Sequence, residues 1–256
     1  MIVVSYNLLS QAVATPQHYK DYDNDVLDFN KRLELIKLKL TKYINDSAII
    51  CLQEVTLTFL NSLIPFFDSV GYKFIATNYG NVDYDSIGIG IAYPDNFLLE
   101  NVNIKTISTR NSNRAIALNF LGITVINYHV PNLWKFPNHH WTELRNLFNF
   151  ALDFIGSNEE NPIIIAGDFN LDINSDLYRR VLRCYPMFRD GYDVFPPYTN
   201  ITDKYTGILD HIFYTFTTLN HNGIIVDNEL NHEKQPNISE GSDHCLIFDH
   251  FDISNN

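Results

Sequence analysis

Long apolar runs are missing from this chain of 256 residues. None approaches the roughly 20 consecutive apolar residues that a membrane-spanning helix needs, so no membrane partner is expected. Basic residues are scarce: 18 Lys and Arg stand against 30 Asp and Glu, for a net charge of −12. Long duplex DNA is held through a basic face, so tight non-specific duplex binding is not expected either. The imbalance still allows a local basic lining, or a bound cation that admits a short polyanion. Cysteine is nearly absent. Cys51, Cys184 and Cys245 form no CxxC pair and cannot all pair with one another. They read as small buried hydrophobes of a reducing compartment, and a cytoplasmic location is expected. The opening MIVVSYNLLS shows neither a charged leader nor a small-residue cleavage site, which argues against a secretory signal. Repeats and Gly/Ser- or Pro-rich linkers are also missing, so residues 1–256 are read as a single domain. There is no GxxxxGK(S/T), no GxSxG elbow and no HExxH helix, which sets aside P-loop, serine-hydrolase and zincin chemistry.

What is present is ordinary globular composition, with 45% apolar and 14% aromatic residues. Buried strands are expected at MIVVSYN, AIICLQEV, SIGIGIAYP, RAIALNF, ITVINYHVP, IIIAGD, GILDHIFYT and HCLIFDHF. Phe29, Leu33, Ile36, Leu40 and Ile44 recur at helical spacing. So do Trp141, Leu144, Phe148, Leu152 and Ile155. TLTFLNSLIPFF reads as a helix disturbed near Pro65, and a short helix follows a cap at Asn174 or Ser175. Helices between only some of the strands fit a layered α/β fold with mixed sheets.

The polar residues fall at one kind of place. Asn7 follows IVVSY, Glu54 follows IICLQ, His129 follows TVINY, and Asp168 and Asn170 follow IIIAG. Asp210 interrupts an apolar run, and Asp243 and His244 precede CLIF. Each has a plain explanation alone. Asn7 is a turn former, Glu54 caps a helix, His129 is a satisfied core imidazole, Asp168 and Asn170 make an Asx turn, and SDH is an exposed turn. Asp210 is harder to dismiss, because a buried carboxylate needs a partner. Ligand sites in sheet proteins form where strand ends converge, and this set of acids, imidazoles and amides suits a divalent-metal site for phosphoester hydrolysis. Asp168, Asn170 and Asp172 begin like a calcium loop, but its sixth position is Ile173 and its twelfth Arg179. His139, His140, Asp249 and His250 read as surface or structural residues.

In order, SYNLLSQ, CLQEV, INYHVP, AGDFN, LDHIFY and GSDH resemble the motifs of the endonuclease/exonuclease/phosphatase superfamily over Val3 to Phe251. SYNLLSQ, KRLELI, SIGIGIAYPDNF and YTNITDKYTGILDHIFY are similar to the branch of poly(A) deadenylases, nocturnin and Angel proteins. His211 stands where that branch usually has Tyr, and is expected to alter a pocket wall. The resemblance implies two packed mixed β-sheets flanked by helices, a four-layer α/β sandwich. It implies Mg²⁺, with Mn²⁺ as a substitute, held by Glu54 with Asn7 and Asp243. Asp168 and Asn170 would position water and phosphate, His244 would be oriented by Asp210, and His129 would contact the phosphate or assist the leaving group. Arg114 and Asn200 are expected to bind substrate. Arg110, Lys135 and Lys204 are further candidates for phosphate, and Trp134, Tyr198 and Tyr205 for stacking on bases.

The expected function is a Mg²⁺-dependent phosphodiesterase acting on the 3′ end of RNA, a 3′–5′ exoribonuclease resembling deadenylases. The alternatives are a phosphatase or phosphodiesterase on small substrates (2′,5′-oligonucleotides, 2′,3′-cyclic phosphate ends, inositol phosphates), a DNA endonuclease, and a non-catalytic scaffold. The leucine-rich repeats of some deadenylases are absent, so recruitment into a large deadenylase assembly through them is not expected.

Overall fold

The computed structural model describes residues 1–78, 87–107, 113–120, 122–155, 161–216, 219–227 and 233–253. Arg110 lies outside them. In chain order, β1 (Ile2–Asn7) leads to α1 (Asn24–Leu27), α2 (Phe29–Asn45), β2 (Ile49–Gln53) and α3 (Leu57–Ser69). Next come β3 (Tyr72–Asn78), β4 (Gly88–Pro94), β5 (Leu99–Thr106), β6 (Arg114–Phe120), β7 (Ile123–His129) and α4 (Pro137–Leu152). Then follow β8 (Ile163–Asp168), α5 (Asp176–Cys184), β9 (Phe188–Asp190), β10 (Asn200–Ile201) and β11 (Thr206–Gly207). The last strands are β12 (Asp210–Thr215), β13 (Leu219–His221), β14 (Ile225–Asp227) and β15 (Leu246–Ile253).

One sheet runs β13-β15-β1-β2-β4-β3, with β14 also on β15; the other runs β5-β6-β7-β8-β12-β9. Both are mixed, since β1 pairs parallel with β2 and β7 with β8 while their other neighbours are antiparallel. Alternate residues of each strand serve two cores. Val3, Cys51 and Ile91 meet Ile116, Val125 and Ile164 between the sheets. Val4, Ile50 and Leu52 face Leu33, Ile36 and Leu63 of α2 and α3. Ile126, Ile165 and Phe213 face Leu144, Phe148 and Val181 of α4 and α5. The result is the expected four-layer α/β sandwich. Covering both sheet faces explains why strands such as IIIAGD carry uninterrupted apolar runs. Each such side chain contributes about 1.5–3 kcal/mol of burial free energy.

The helix ends follow local chemistry. The Asp28 carboxylate accepts the Lys31 N–H to cap α2, Thr56 caps α3, and Ser175, one of the two expected caps, caps α5. Pro65 does not end α3, which continues to Ser69 because Phe59, Leu63 and Phe67 hold it against the sheet. Strands β3 and β5 are not anticipated by the sequence pattern. Both are sheet edges, and β5 is exposed along most of its length, so neither shows a core-directed period. Cys184 is exposed, unlike the buried Cys51 and Cys245, because it ends α5 on the solvent side.

A polar bridge crosses the inter-sheet core below one end. Gln53 Nε2 donates to Asn127 Oδ1 at 2.9 Å, and Asn127 Nδ2 donates to the carbonyls of Leu52 at 2.9 Å and Gly90 at 2.8 Å. All of its members are buried and satisfied, as a buried network must be.

Candidate active site

Strand register brings the polar ends together. In the parallel pair of β7 and β8, His129 sits beside Asp168; in the antiparallel pair of β8 and β12, Asp168 sits beside Asp210. Asn7 ends β1 beside Gln53 of β2, and Glu54 is the next residue. Asp243 and His244 lead into β15, which returns antiparallel to β1. Eight of the expected residues therefore share one mouth: Asn7, Glu54, His129, Asp168, Asn170, Asp210, Asp243 and His244. Asn200 joins them through Asp243, donating from Nδ2 to its carbonyl at 3.2 Å and to Oδ2 at 3.4 Å.

Asn7 Nδ2 bridges the two sheets at this mouth, donating to Glu54 Oε1 at 3.2 Å and to Asp168 Oδ2 at 3.0 Å. His129 Nε2 lies 3.5 Å from the same Asp168 oxygen and 4.0 Å from Glu54 Oε1. His244 is held from behind, with Nδ1 2.9 Å from Asp210 Oδ2, and presents Nε2 3.7 Å from Asp168 Oδ2. The Asn170 backbone N–H donates to Asp168 Oδ1 at 2.8 Å, which leaves Oδ2 facing both imidazoles.

The electrostatics are those of crowded, dry carboxylates. Burial pushes the Asp168 carboxyl above its usual range; Asp210 adds to this, and His244 and His129 pull the other way. Burial also raises Asp243, with Glu54 adding to it and His244 opposing. Burial alone would lower the His244 imidazole, but the carboxylates of Asp210 and Asp168 hold it well above its ordinary value. A protonated ring between two buried acids is the arrangement that offsets their desolvation.

Backbone strain collects at the same place. Leu9, Glu54 and Asn170 adopt φ of 55°, 57° and 47°, the left-handed region. Asn tolerates it; Glu and Leu are held there at a cost of order 1–3 kcal/mol each. The hold is visible: Ser10 N–H donates to Glu54 Oε2 at 2.7 Å, and Leu9 N–H to Asn7 Oδ1 at 3.0 Å.

Several supporting residues carry no role that the sequence pattern marks. Arg32 is almost fully buried, and its guanidinium donates to the carbonyls of Leu8, Leu9 and Gly241 and to Gln11 Oε1. It ties the loop after β1 to the loop before Asp243. Tyr19 donates to Asp243 Oδ2 at 2.8 Å, Ser242 Oγ to the Asn7 carbonyl at 2.6 Å, and Thr199 Oγ1 accepts the N–H groups of Leu209 and Asp210. Arg32, Thr199 and Ser242 lie inside or beside the quoted motifs, whereas Tyr19 sits in a loop with no pattern to mark it.

Beside Asn170 opens a cavity of about 370 Å³, lined by Trp134, His140, Leu171, Asp172, Leu177 and Tyr205 among others. Trp134 donates from Nε1 to the Asn170 carbonyl at 2.7 Å, and its ring meets Tyr205 at 4.6 Å. Two of the three proposed stacking residues thus flank the mouth. Tyr198 does not, being buried against Ile201 and Cys245. His140 is buried rather than superficial: the first turn of α4 points it inward, where Nε2 meets the Phe169 carbonyl at 3.1 Å. Asp249 is buried too, held by His221 at 2.9 Å. Arg114 opens β6, one residue after the Asn113 whose Nδ2 donates to the His129 carbonyl at 3.1 Å, and itself donates to Thr77 Oγ1 at 3.1 Å; Lys135 is exposed, and Lys204 binds the His18 carbonyl.

The donor set fits a hard cation. Asp243 Oδ1 is buried with no hydrogen-bond partner among the described residues, and the Glu54 carboxylate lies at the open side of the mouth, 16% exposed. A lone buried carboxylate oxygen beside a second carboxylate suits Mg²⁺ or a similar ion. The tightest group of ligand atoms is another one, Asp168, Asp210 and His244, all within 4.8 Å of one another. There His244 Nδ1 is already engaged by Asp210 Oδ2 at 2.9 Å.

A sandwich of two mixed sheets that gathers carboxylates, imidazoles and amides at one mouth has the donor set that phosphoester hydrolysis calls for. Residues 4–244 match the model of the Endonuclease/Exonuclease/phosphatase family, and the chain belongs to it. The CCR4-Not complex 3′-5′-exoribonuclease subunit Ccr4 of Kluyveromyces lactis is 24% identical over 325 residues, covering 98% of this chain and 41% of the relative. The chain thus spans about two fifths of the length of that relative. Nocturnin of Xenopus laevis is 24% identical over 280 residues, covering 96% of this chain and 70% of the relative. A solved structure of ANGEL2, a 2′,3′-cyclic phosphatase, shares the fold with a TM-score of 0.85 at 18% identity, covering 98% of this chain and 94% of that one. The similarity falls in the deadenylase, nocturnin and Angel branch to which the motifs pointed.

Proposed function

We propose that the chain is a Mg²⁺-dependent phosphodiesterase that removes nucleotides from the 3′ end of RNA, and that residues 1–256 form one catalytic domain. The observation that carries this reading is the adjacency of the acid–imidazole mouth and the aromatic-walled cavity, joined at Asn170. A phosphodiester needs charge neutralised at one point and an attached nucleoside held at another. Mg²⁺, when bound by Glu54 and Asp243 with Asn7 in support, supplies charge neutralisation at the scissile phosphate. Asp168, steered by the Asn170 N–H and the Asn7 amide, orients the attacking water through Oδ2. His244 donates from Nε2 to a phosphate oxygen, its tautomer and charge set by Asp210. His129 Nε2 assists the leaving oxygen, and Asn200 fixes Asp243. Trp134 and Tyr205 present faces for a base whatever its identity. The acidic surface is consistent with a short single-stranded end rather than a duplex.

A second reading is a phosphatase acting on small nucleotide ends. It is favoured by the likeness to ANGEL2, whose solved complex holds adenosine-2′,3′-vanadate. The test is turnover of labelled poly(A), mixed RNA, DNA, 2′,3′-cyclic phosphate ends and inositol phosphates with Mg²⁺ and with Mn²⁺. The native chain is compared with Glu54→Ala. Preferential shortening of RNA from its 3′ end, lost in the variant, supports the first reading. Turnover of cyclic ends alone moves the assignment to the second, and activity indifferent to Glu54 removes the site assignment.

A further inference from the structure

His211 is absent from the chemistry above, yet it is fully buried one residue from Asp210. It does not form a pocket wall, as expected from sequence, but lies beneath one. Its Nδ1 is 2.7 Å from Asp190 Oδ2, and its Nε2 is 2.7 Å from the Leu171 carbonyl. Leu171 lines the cavity and follows Asn170. The ring is clamped between Tyr178 and Phe213, at 5.7 Å with 30° between planes and at 5.5 Å with 25°. Tyr178 also donates to Asp190 Oδ2 at 3.0 Å, so one carboxylate collects two donors from different elements.

Both partners of this imidazole are acceptors. A neutral ring owns one N–H, and its second nitrogen would then aim a lone pair at an oxygen 2.7 Å away in a dry site. The contacts are satisfied together only if a proton lies on each line, one between Nδ1 and Asp190 and one on Nε2 toward Leu171. At 2.7 Å neither line has room for an intervening water.

We propose that His211 is a positioning residue for this site: donating from both ring nitrogens, it fixes the Leu171 carbonyl to Asp190 and so sets the Asn170–Asp172 wall of the cavity against the Asp168–Asp210 pair. The path is short. Asp190 lies on β9, His211 on β12, and Leu171 on the loop that leaves β8, so one side chain locks three segments. Phe169 N–H on the same loop donates to the Leu209 carbonyl at 2.9 Å, which gives the loop a second anchor on β12's approach. With both in place, Asn170 keeps its left-handed backbone and holds Trp134 through its carbonyl.

Two measurements test this, and only the second rests on the proposed function. In nitrogen-15 spectra of the histidine-labelled native chain at neutral pH, His211 is expected to show protonated character at both ring nitrogens; a single protonated nitrogen overturns the proposal. Amide hydrogen exchange in His211→Gln is expected to speed up by about tenfold at Phe169, Asn170 and Ser175, with strand amides such as Ile164 and Ile165 unchanged. A uniform acceleration means loss of global stability only, and overturns the positioning role. On substrates, His211→Gln is expected to raise KM for the dinucleotide ApA by about tenfold, with turnover of the base-free diester methyl p-nitrophenyl phosphate within twofold of native. Equal losses on both substrates overturn the proposal. If the native chain cleaves neither, the functional reading fails, and the spectra and exchange still decide the role of His211.

Discussion

Asp168 and Asp210 stand directly opposite each other across β8 and β12, and His244 touches both, 2.9 Å from Asp210 Oδ2 and 3.7 Å from Asp168 Oδ2. One imidazolium therefore offsets two buried acids. Replacing it leaves two like charges facing each other with little water. His244→Gln is expected to lower turnover by on the order of 10²–10⁴ while the chain still folds, checked by circular dichroism and single-turnover assays.

The same ring sets a pH dependence. Its unfolded value is near 6.5, and in the folded chain, against the pull of burial, Asp210 and Asp168 hold it well above that. Above pH 6.5 the folded state keeps a proton that the unfolded state has released. Its stability contribution is therefore complete below pH 6.5 and is lost as pH rises through the raised folded-state value. The raised carboxyls of Asp168 and Asp243 act with the same sign. Thermal unfolding in metal-free buffer should show Tm falling as pH is raised from 6.5. The fall should be shallower in His244→Gln.

Glu54 is held in a strained backbone conformation, and its charge adds to the burial that raises the Asp243 carboxyl. Glu54→Gln keeps the shape and removes the charge. Metal-free Tm is expected to fall by roughly 2–4 °C, about 1 kcal/mol, because the new NH2 faces one of the two donors, Asn7 Nδ2 or Ser10 N–H, that the carboxylate accepts. Added Mg²⁺, which should raise the Tm of the native chain by mass action, should leave the variant unmoved. Differential scanning fluorimetry with and without the ion reads both effects.

Arg32 reaches four acceptors from one planar fork, three of them carbonyls of the loops that carry the site. Lysine would keep the charge and lose the fork. Arg32→Lys is expected to cost about 3 kcal/mol in urea unfolding, and to reduce turnover per folded molecule as Leu9 and Gly241 drift apart.

Gly167 precedes Asp168, and a Cβ there would sit 2.0 Å from the Tyr128 carbonyl, next to His129. Gly167→Ala should push β7 and β8 apart and lower kcat by at least about tenfold, with several kcal/mol of stability lost. Gly122, with φ of 82° and nothing within 4 Å of its would-be Cβ, is the control. Alanine there should cost about 1 kcal/mol and leave kcat alone.

Much of this is legible in the sequence. The central strands announce themselves because both faces are covered, and Asn7, Glu54, His129, Asp168, Asp210, Asp243 and His244 mark their ends. Edges were not legible: β5 is too exposed, and β9, β10, β11, β13 and β14 are too short, to carry a period. Partners were not legible either. Nothing local in the sequence shows that Tyr19 reaches Asp243, 224 positions away, or that His140 turns inward while His139 stays out. The reach of Arg114 to Thr77 Oγ1 of the facing sheet is not legible either. Its place depends on how the sheets dock, which no single segment encodes.

Ownership of the proposed catalytic groups is split between the two layers. Asn7, Glu54 and Asp243 belong to the sheet built on β1, while His129, Asp168, Asn170 and Asp210 belong to the one built on β8. A fragment retaining just one layer would be inert however well it folded. Turnover is then a gauge of docking itself, and thermal inactivation should coincide with the parting of the sheets rather than trail the melting of their strands.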